Sequence, residues 1–303
     1  MKANIYFIIA TLFLGLNFHL SKIVLAEVSF IEAISWRFTL AGITLFLLAY
    51  KNLKSLQLKR SSIKGAALVG GIGLLGFNVF LFLGLRNSSA INAALIIGLN
   101  PAITVLLSSI ILKTSLKTKH LIGIIISFSG VMYLISKGNI TSFQDIDFNY
   151  SDVLILIANI FFALHHVWVK KYSSELENTS FTFLAILFTL IGILVFLPFV
   201  EIQEIASHST KFWFAISGLG ILGTGVVFYF WNYSVQKAGA DQAGIFMNMV
   251  PLFTALFAVF FNEYLYRYHF ISALFIISGM LIMKINNRKM SYYSMILKRK
   301  LKM

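Results

Sequence analysis

The sequence predicts an all-α polytopic membrane protein, with ten transmembrane helices arranged as two inverted five-helix repeats. Three observations predict it. Of the 303 residues, 58% are apolar and only 12% are charged, about half the roughly 25% charge of a soluble globular chain. The apolar residues gather in ten stretches, each near the ~20 residues that a helix needs to cross the hydrocarbon. The second half of the chain also repeats the first at a spacing of about 149 residues. Folded soluble proteins keep a polar skin. This composition therefore excludes a soluble enzyme, a disordered chain and a secreted disulfide scaffold. The chain has no cysteine, which excludes disulfides, thiolate nucleophiles and cysteine-bound metals.

The ten stretches are residues 5–25, 30–50, 65–85, 90–112, 120–136, 153–169, 179–200, 212–235, 239–262 and 268–285. Together they occupy ~200 positions, which leaves room for short connections and a tail but for no separate soluble domain. The longest gaps, 51–64 and 137–152, are polar linkers. Val24-Leu25-Ala26 has the small-residue spacing of a signal-peptidase site. The first stretch nevertheless carries Asn17, His19 and Lys22 and has a counterpart later in the chain, so it reads as a retained helix.

The formal charge of +14 would suggest nucleic acid in a soluble chain. Here it sorts by side of the membrane. With loops numbered alternately from an inside N-terminus, 19 of the 25 basic residues fall inside. They include Lys2, the 51–64 linker, Lys113, Lys117, Lys119, Lys170, Lys171, Lys237 and the tail. Glu27, Glu32, Asp145, Asp147, Asp152, Glu201, Glu204 and Glu263 fall outside. Positive charge stays cytoplasmic during insertion, so both termini are predicted inside and nucleic-acid binding is not. The tail 286–303, with Lys298-Arg299-Lys300, reads as a stop-transfer flank that can also rest on anionic membrane lipid.

The repeat is visible residue by residue. His120, Ile122, Ser129 and Gly130 recur as His269, Ile271, Ser278 and Gly279. Pro101 in the fourth stretch matches Pro251 in the ninth. Gly65, Gly70, Gly71, Gly73 and Gly76 match a second glycine-rich run of Gly218, Gly220, Gly223 and Gly225, and Asn17 matches His165. The repeats are residues 1–140 and 150–285. Five spans is an odd number, so the second repeat inserts upside down relative to the first. Inverted repeats are an architecture of secondary transporters, with the site near the midplane where the halves meet.

Trp231-Asn232-Tyr233-Ser234-Val235-Gln236-Lys237-Ala238-Gly239-Ala240, followed by Ala243-Gly244-Ile245-Phe246-Met247-Asn248-Met249-Val250-Pro251, resembles the eighth-to-ninth helix signature of the EamA-type transporters of the drug/metabolite transporter superfamily. Ser88-Ser89-Ala90-Ile91-Asn92-Ala93-Ala94-Leu95, with Leu99-Asn100-Pro101, is its partner in the first half. Trp36-Arg37-Phe38 with Ala41 is similar to the family's second-helix motif. The resemblance spans essentially the whole chain. It implies ten helices, inside termini and export of amino acids or related small metabolites. Two places depart from the pattern. Val28-Ser29-Phe30 stands where the family often has a proline, and Thr114 stands near the place of an acidic residue after the fourth helix, whereas Glu263 is present after the ninth.

Polar side chains inside spans face the bundle interior or a wet cavity. The substrate-binding candidates are Asn17, Asn78, Asn100, His165, Tyr229, Asn232 and Asn248. An amide both donates and accepts, which suits zwitterions and neutral polar solutes, although the same amides can instead tie helices together. Tyr229 would supply an aromatic wall. Pro101 and Pro251 each free a backbone carbonyl one turn earlier and serve as hinges, or else as static kinks. Arg37 has a structural or gate role, snorkelling to the outer headgroups or closing the outer side with Glu27 or Glu32; the alternative is a forked contact to a substrate carboxylate.

No Asp or Glu sits deep in any span, which argues against a cation–proton drug antiporter. Proton coupling would instead use His19, His165 or His166, whose free imidazole titrates at about 6.5. Uncoupled diffusion or exchange fits equally well. The function expected is a secondary transporter of the inner or plasma membrane with a small-molecule metabolite as partner, no cofactor, no metal and no enzymatic activity. A nucleotide-sugar or phosphorylated-metabolite exchanger would need several cavity cations. Only Arg37, Lys22 and Lys170 come near. An integral-membrane enzyme would need a catalytic constellation that the six histidines do not form.

Overall fold

The computed structural model describes residues 2–53, 59–139, 149–173, 176–196, 198, 208–238, 246–247 and 249–284. These residues form ten helical spans, α1 to α10. They are α1 (Lys2–Leu25), α2 (Phe30–Leu53), α3 (Arg60–Leu85), α4 (Ala90–Ile111), α5 (Thr118–Ile135), α6 (Tyr150–Tyr172), α7 (Asn178–Leu194), α8 (Thr210–Ser217, continued through Gly218–Val226 and Val227–Ala238), α9 (Met249–Phe261) and α10 (Arg267–Lys284). Seven are long and apolar enough to cross a membrane. The shorter three are α7, α9 and α10; most of residues 239–248, expected to open α9, lie outside the described residues. The tail 286–303 also lies outside them.

The halves interdigitate. α1 of the first half packs on α8 and α9 of the second, and α6 packs on α3 and α4. α2 lies along α7 and α8, while α7 lies along α3. α5 and α10, equivalent helices, pack on each other. Small residues make that contact possible, as is usual where lipid offers no hydrophobic drive for helices to associate. A methyl group at Gly123 would overlap the Gly279 carbonyl, one at Gly130 would lie 2.9 Å from the Ser272 carbonyl, and Ser127 Oγ donates to the Ile276 carbonyl at 3.2 Å. Large apolar side chains such as Leu47, Ile125, Phe214 and Leu274 are exposed around the perimeter, where lipid would lie.

The internal repeat has physical counterparts. His120 Nδ1 accepts from the Lys117 N–H at the start of α5, and His269 Nδ1 accepts from the Tyr266 N–H at the start of α10, at 3.2 and 2.9 Å. Each histidine thus satisfies an amide that the new helix leaves without an internal partner. The matched fourth and ninth spans end at Lys113 and Asn262, both left-handed at φ 54. The glycine-rich run of each half is a π-helical segment, Leu68–Leu74 within α3 and Gly218–Val226 within α8. π segments widen the helix and loosen its hydrogen-bond ladder, and they occur often at functional sites.

Candidate substrate site

α4 is broken in its middle. Its first part ends at Ile97 with Gly98 and Leu99 in a tight turn, and the second part begins at Asn100 with Pro101 in its first turn. Pro101 has no N–H to give. The break leaves the Ile96 carbonyl facing α6, where Asn159 Nδ2 donates to it at 2.7 Å. Asn100 Nδ2 donates to Asn159 Oδ1 at 2.8 Å. Asn100 Oδ1 lies 3.0 Å from His166 Nδ1 and accepts from Thr104 Oγ1 at 3.1 Å. Asn100 and Asn159 are buried.

The backbone fixes the direction of this chain of contacts. The Ile96 carbonyl only accepts, so Asn159 must turn its NH2 toward it and its oxygen toward Asn100. Asn100 then gives its NH2 to Asn159 and shows its oxygen to His166, so the neutral imidazole carries its proton on Nδ1. His166 Nε2 is left as a lone pair, buried and without a partner among the described residues. The ring lies tilted on Phe162 at 4.4 Å and 6.1 Å from Trp231. Trp231 meets Phe7 edge-on at 5.1 Å, and Phe7 stacks on Phe246 at 4.9 Å. Polar groups of α4 and α6 thus adjoin an aromatic wall from α1, α6, α8 and the residues just before α9. The α4 break adjoins Pro251 of α9, since a methyl group at Gly98 would lie 3.4 Å from Pro251 Cγ.

A second polar group surrounds Arg37. Its Nε donates to Thr224 Oγ1 at 2.7 Å and its Nη1 to Asn78 Oδ1 at 2.8 Å. Asn78 Nδ2 donates to the Leu74 carbonyl at 2.8 Å, at the end of the first π segment. Thr224 lies in the second π segment and gives its own hydroxyl proton to the Leu219 carbonyl at 2.8 Å. Beside it, Asn17 Nδ2 donates to the Gly223 carbonyl at 2.6 Å, while Asn17 Oδ1 is buried without a donor.

Glu27 and Glu32 do not reach Arg37. Glu27 accepts from Ser209 Oγ and N at 2.5 and 3.0 Å, and Glu32 lies 3.4 Å from His208. Those contacts belong to a series that clasps one end of the bundle, the end at which α2, α4, α6, α8 and α10 begin. There Ser88 Oγ donates to Asp152 at 2.5 Å, and Glu263 accepts from the Ala90 and Ile91 N–H groups at 3.2 and 3.3 Å, capping α4. His269 Nε2 lies 3.1 Å from Asn92 Oδ1. Each of these contacts joins the first half to the second.

The other predicted residues are placed as follows. His165 lies against the first π segment, where a methyl group at Gly73 would come 2.9 Å from its Cβ, and neither ring nitrogen has a well-formed hydrogen bond. Asn232 Nδ2 donates to Thr182 Oγ1 at 2.7 Å, tying α8 to α7. Tyr229 is partly exposed beside Phe230; Phe228 and Trp231 are the buried aromatics of that stretch. Asn248 lies outside the described residues.

The structure brings Asn159, one of the amides within the spans, and His166, expected only for proton coupling, to Asn100, and it adds Thr224 at Arg37. The first two were findable, because residues 159 and 166 are two helical turns apart on one face. Among the described residues, no group of three or more His, Asp or Glu gathers that could hold a metal.

Ten interdigitated spans, with prolines at matched places and built on an internal repeat, are the frame of a multi-pass membrane transporter. The EamA-like transporter family model matches residues 1–136 and 149–285, one copy per half, and the chain belongs to that family. It is 28% identical over 285 residues to the uncharacterized transporter YyaM of Bacillus subtilis (strain 168), covering 92% of each chain. It is 22% identical over 299 residues to the uncharacterized transporter YetK of the same organism, covering 97% of this chain and 90% of that one. A crystal structure shares the fold at a TM-score of 0.67 with 18% identity, covering 95% of this chain and 98% of the other.

Proposed function

We propose that this transporter exports amino acids or related small polar metabolites across the inner or plasma membrane by alternating access, with both termini cytoplasmic. The halves 1–140 and 150–285 are the rocking units, Pro101 and Pro251 the hinges, and 286–303 a basic cytoplasmic tail. The observation that supports this best is the Asn100–Asn159–His166 group. It joins the first half to the second at the helix break and presents amide and imidazole groups beside an aromatic wall. Such groups hydrogen-bond zwitterions and neutral polar solutes without carrying charge themselves. Any coupled proton would sit on His165 or His166, where three buried ring nitrogens have no hydrogen-bond partner among the described residues.

Counterflow in proteoliposomes preloaded in turn with amino acids, nucleosides and nucleotide sugars tests this reading. Saturable amino-acid exchange that is lost in Asn100→Ala supports it. Exchange confined to nucleotide sugars overturns the substrate class. The topology has its own test, since the chain has no native cysteine. A thiol at Lys113→Cys should react only from the cytoplasmic side and one at Arg86→Cys only from outside.

A further inference from the structure

Arg37 is 3% exposed, yet its hydrogen-bond partners are neutral, the Thr224 hydroxyl and the Asn78 amide oxygen. Among the described residues no carboxylate pairs with it. Glu27 is taken by Ser209, and Glu32 lies against His208. The Phe38 and Phe82 rings lie 5.9 and 5.7 Å from its Cζ and add a weak cation–π attraction. A guanidinium has five N–H donors; the hydrogen bonds formed use two, one on Nε and one on Nη1. A buried charge without a counter-charge is expensive.

The internal repeat shows that packing does not require this charge. In the second half, the position equivalent to Arg37 is Ala185. A methyl group at Gly220, in the second π segment, would lie 3.0 Å from the Arg37 carbonyl; one at Gly70, in the first, would overlap the Ala185 carbonyl. The same backbone-to-glycine contact is therefore made twice, once with a guanidinium attached and once with a methyl group. The architecture is satisfied by alanine, and the charge at residue 37 is an addition to it.

We infer that Arg37 is the specificity residue that reads a singly charged carboxylate on the substrate. The inference rests on the transport role proposed above and deepens it. One Nη1 N–H and both Nη2 N–H groups remain, and a parallel pair of donors, one from each Nη, is the fork that a carboxylate accepts bidentately. A single cation among neutral amides and hydroxyls balances one negative charge, not the several of a nucleotide diphosphate. Thr224 and Asn78 come from opposite halves, so their hold on Arg37 is remade as the halves rock, and the substrate carboxylate supplies the counter-charge that the protein lacks. Arg37 is thereby assigned to recognition and not to an ion-paired outer gate.

The test is the thermal midpoint of the purified protein titrated with L-alanine, L-alanine methyl ester, acetate and inorganic phosphate. A ligand that binds only the folded state raises the midpoint with concentration. The expected result is half-effect at roughly ten- to a hundredfold lower concentration for L-alanine than for its ester, the ratio that a charge-assisted hydrogen bond of ~1.5–3 kcal/mol gives. Acetate should stabilise and phosphate should do so less. Arg37→Gln should abolish the acid–ester difference, and Arg37→Lys should keep part of it.

Equal responses to acid and ester in the wild-type protein overturn the inference, as does an acid–ester difference that survives in Arg37→Gln. A stronger response to phosphate than to acetate overturns the carboxylate assignment. Stabilisation by acetate without any amino-acid counterflow would keep the anchor and refute the amino-acid reading. The wild-type comparison needs no variant to fold.

Discussion

Asn100 and Asn159 face each other across the break in α4, amide nitrogen to amide oxygen at 2.8 Å. They come from opposite halves, and each completes the other's hydrogen bonding. Asn159 donates to the Ile96 carbonyl in the last turn before the break, beside the Leu99 N–H, so the break at Pro101 is a joint between halves, tied by a side chain of the other repeat.

Asn159→Ala should remove both side-chain hydrogen bonds, leaving the Ile96 carbonyl with the Leu99 N–H at 3.1 Å and the Asn100 amide nitrogen with the long 3.4 Å contact to the residue 159 carbonyl. Each lost hydrogen bond is worth about 1 kcal/mol, so the thermal midpoint should fall by a few degrees and counterflow should drop. Asn159→Asp is the sharper variant. A carboxylate facing the Ile96 carbonyl sets acceptor against acceptor, so at alkaline pH it should be less stable than the alanine variant despite its matching shape. An aspartate variant as stable as wild type would show that the assigned amide direction is wrong.

His166→Phe keeps a ring on Phe162 and removes both nitrogens. Asn100 Oδ1 retains the Thr104 hydroxyl as donor, so stability should change by no more than about 1 kcal/mol, the worth of one hydrogen bond. Exchange should nevertheless be lost. Full exchange in a stable His166→Phe protein would place the substrate elsewhere.

Neighbouring glycines in the first π segment should respond in opposite ways. A methyl group at Gly70 would overlap the Ala185 carbonyl, whereas one at Gly71 meets nothing closer than the Phe188 carbonyl at 3.8 Å. Gly70→Ala should therefore reduce folded protein severely, because the obstacle is backbone. Gly71→Ala should express and transport like wild type. Fluorescence-detected size-exclusion chromatography of the two variants decides it.

Glu27 lies in the connection between α1 and α2, outside the spans. Hydrogen bonds from Ser209 Oγ and N to the ionised carboxylate hold it below its usual value, with smaller help from His208 and Lys211. A depressed carboxylate contributes fully above its free value and loses that contribution as pH falls through the lowered one. The Glu27–Ser209 clasp should thus survive acidification from neutral pH to the free value of 4.5 and open below it. Amide exchange at the start of α8, compared with Glu27→Gln at the same pH to cancel the intrinsic rate, should show wild type protected and the variant unprotected. Equal protection across that range would remove the clasp from consideration.

The sequence by itself determined the membrane class, the number of spans and the repeat. Those depend on composition and on local periodicity, and a helix in lipid must satisfy its own backbone whatever surrounds it. The predicted bounds of α2, from residue 30, and α4, from residue 90, needed no partner to be read. Matching histidines at 120 and 269 announced equivalent helix starts, and each does cap its helix. What only the tertiary structure decided is which polar side chains meet. Asn232, chosen for its type, ties α8 to α7, whereas Asn159, equally visible as a type, holds Asn100. Arg37 was drawn toward Glu27 and Glu32 by charge alone, yet those acids are held by Ser209 and His208. The glycine-rich runs were legible as a repeat but not as π segments, whose carbonyls are met by side chains from other helices, Gly223 by Asn17 at 2.6 Å and Gly70 by the Thr189 hydroxyl of α7 at 3.0 Å. Polar pairing in a bundle is set by how helices from opposite halves cross, and that crossing is a property of the whole fold that no local stretch of sequence encodes.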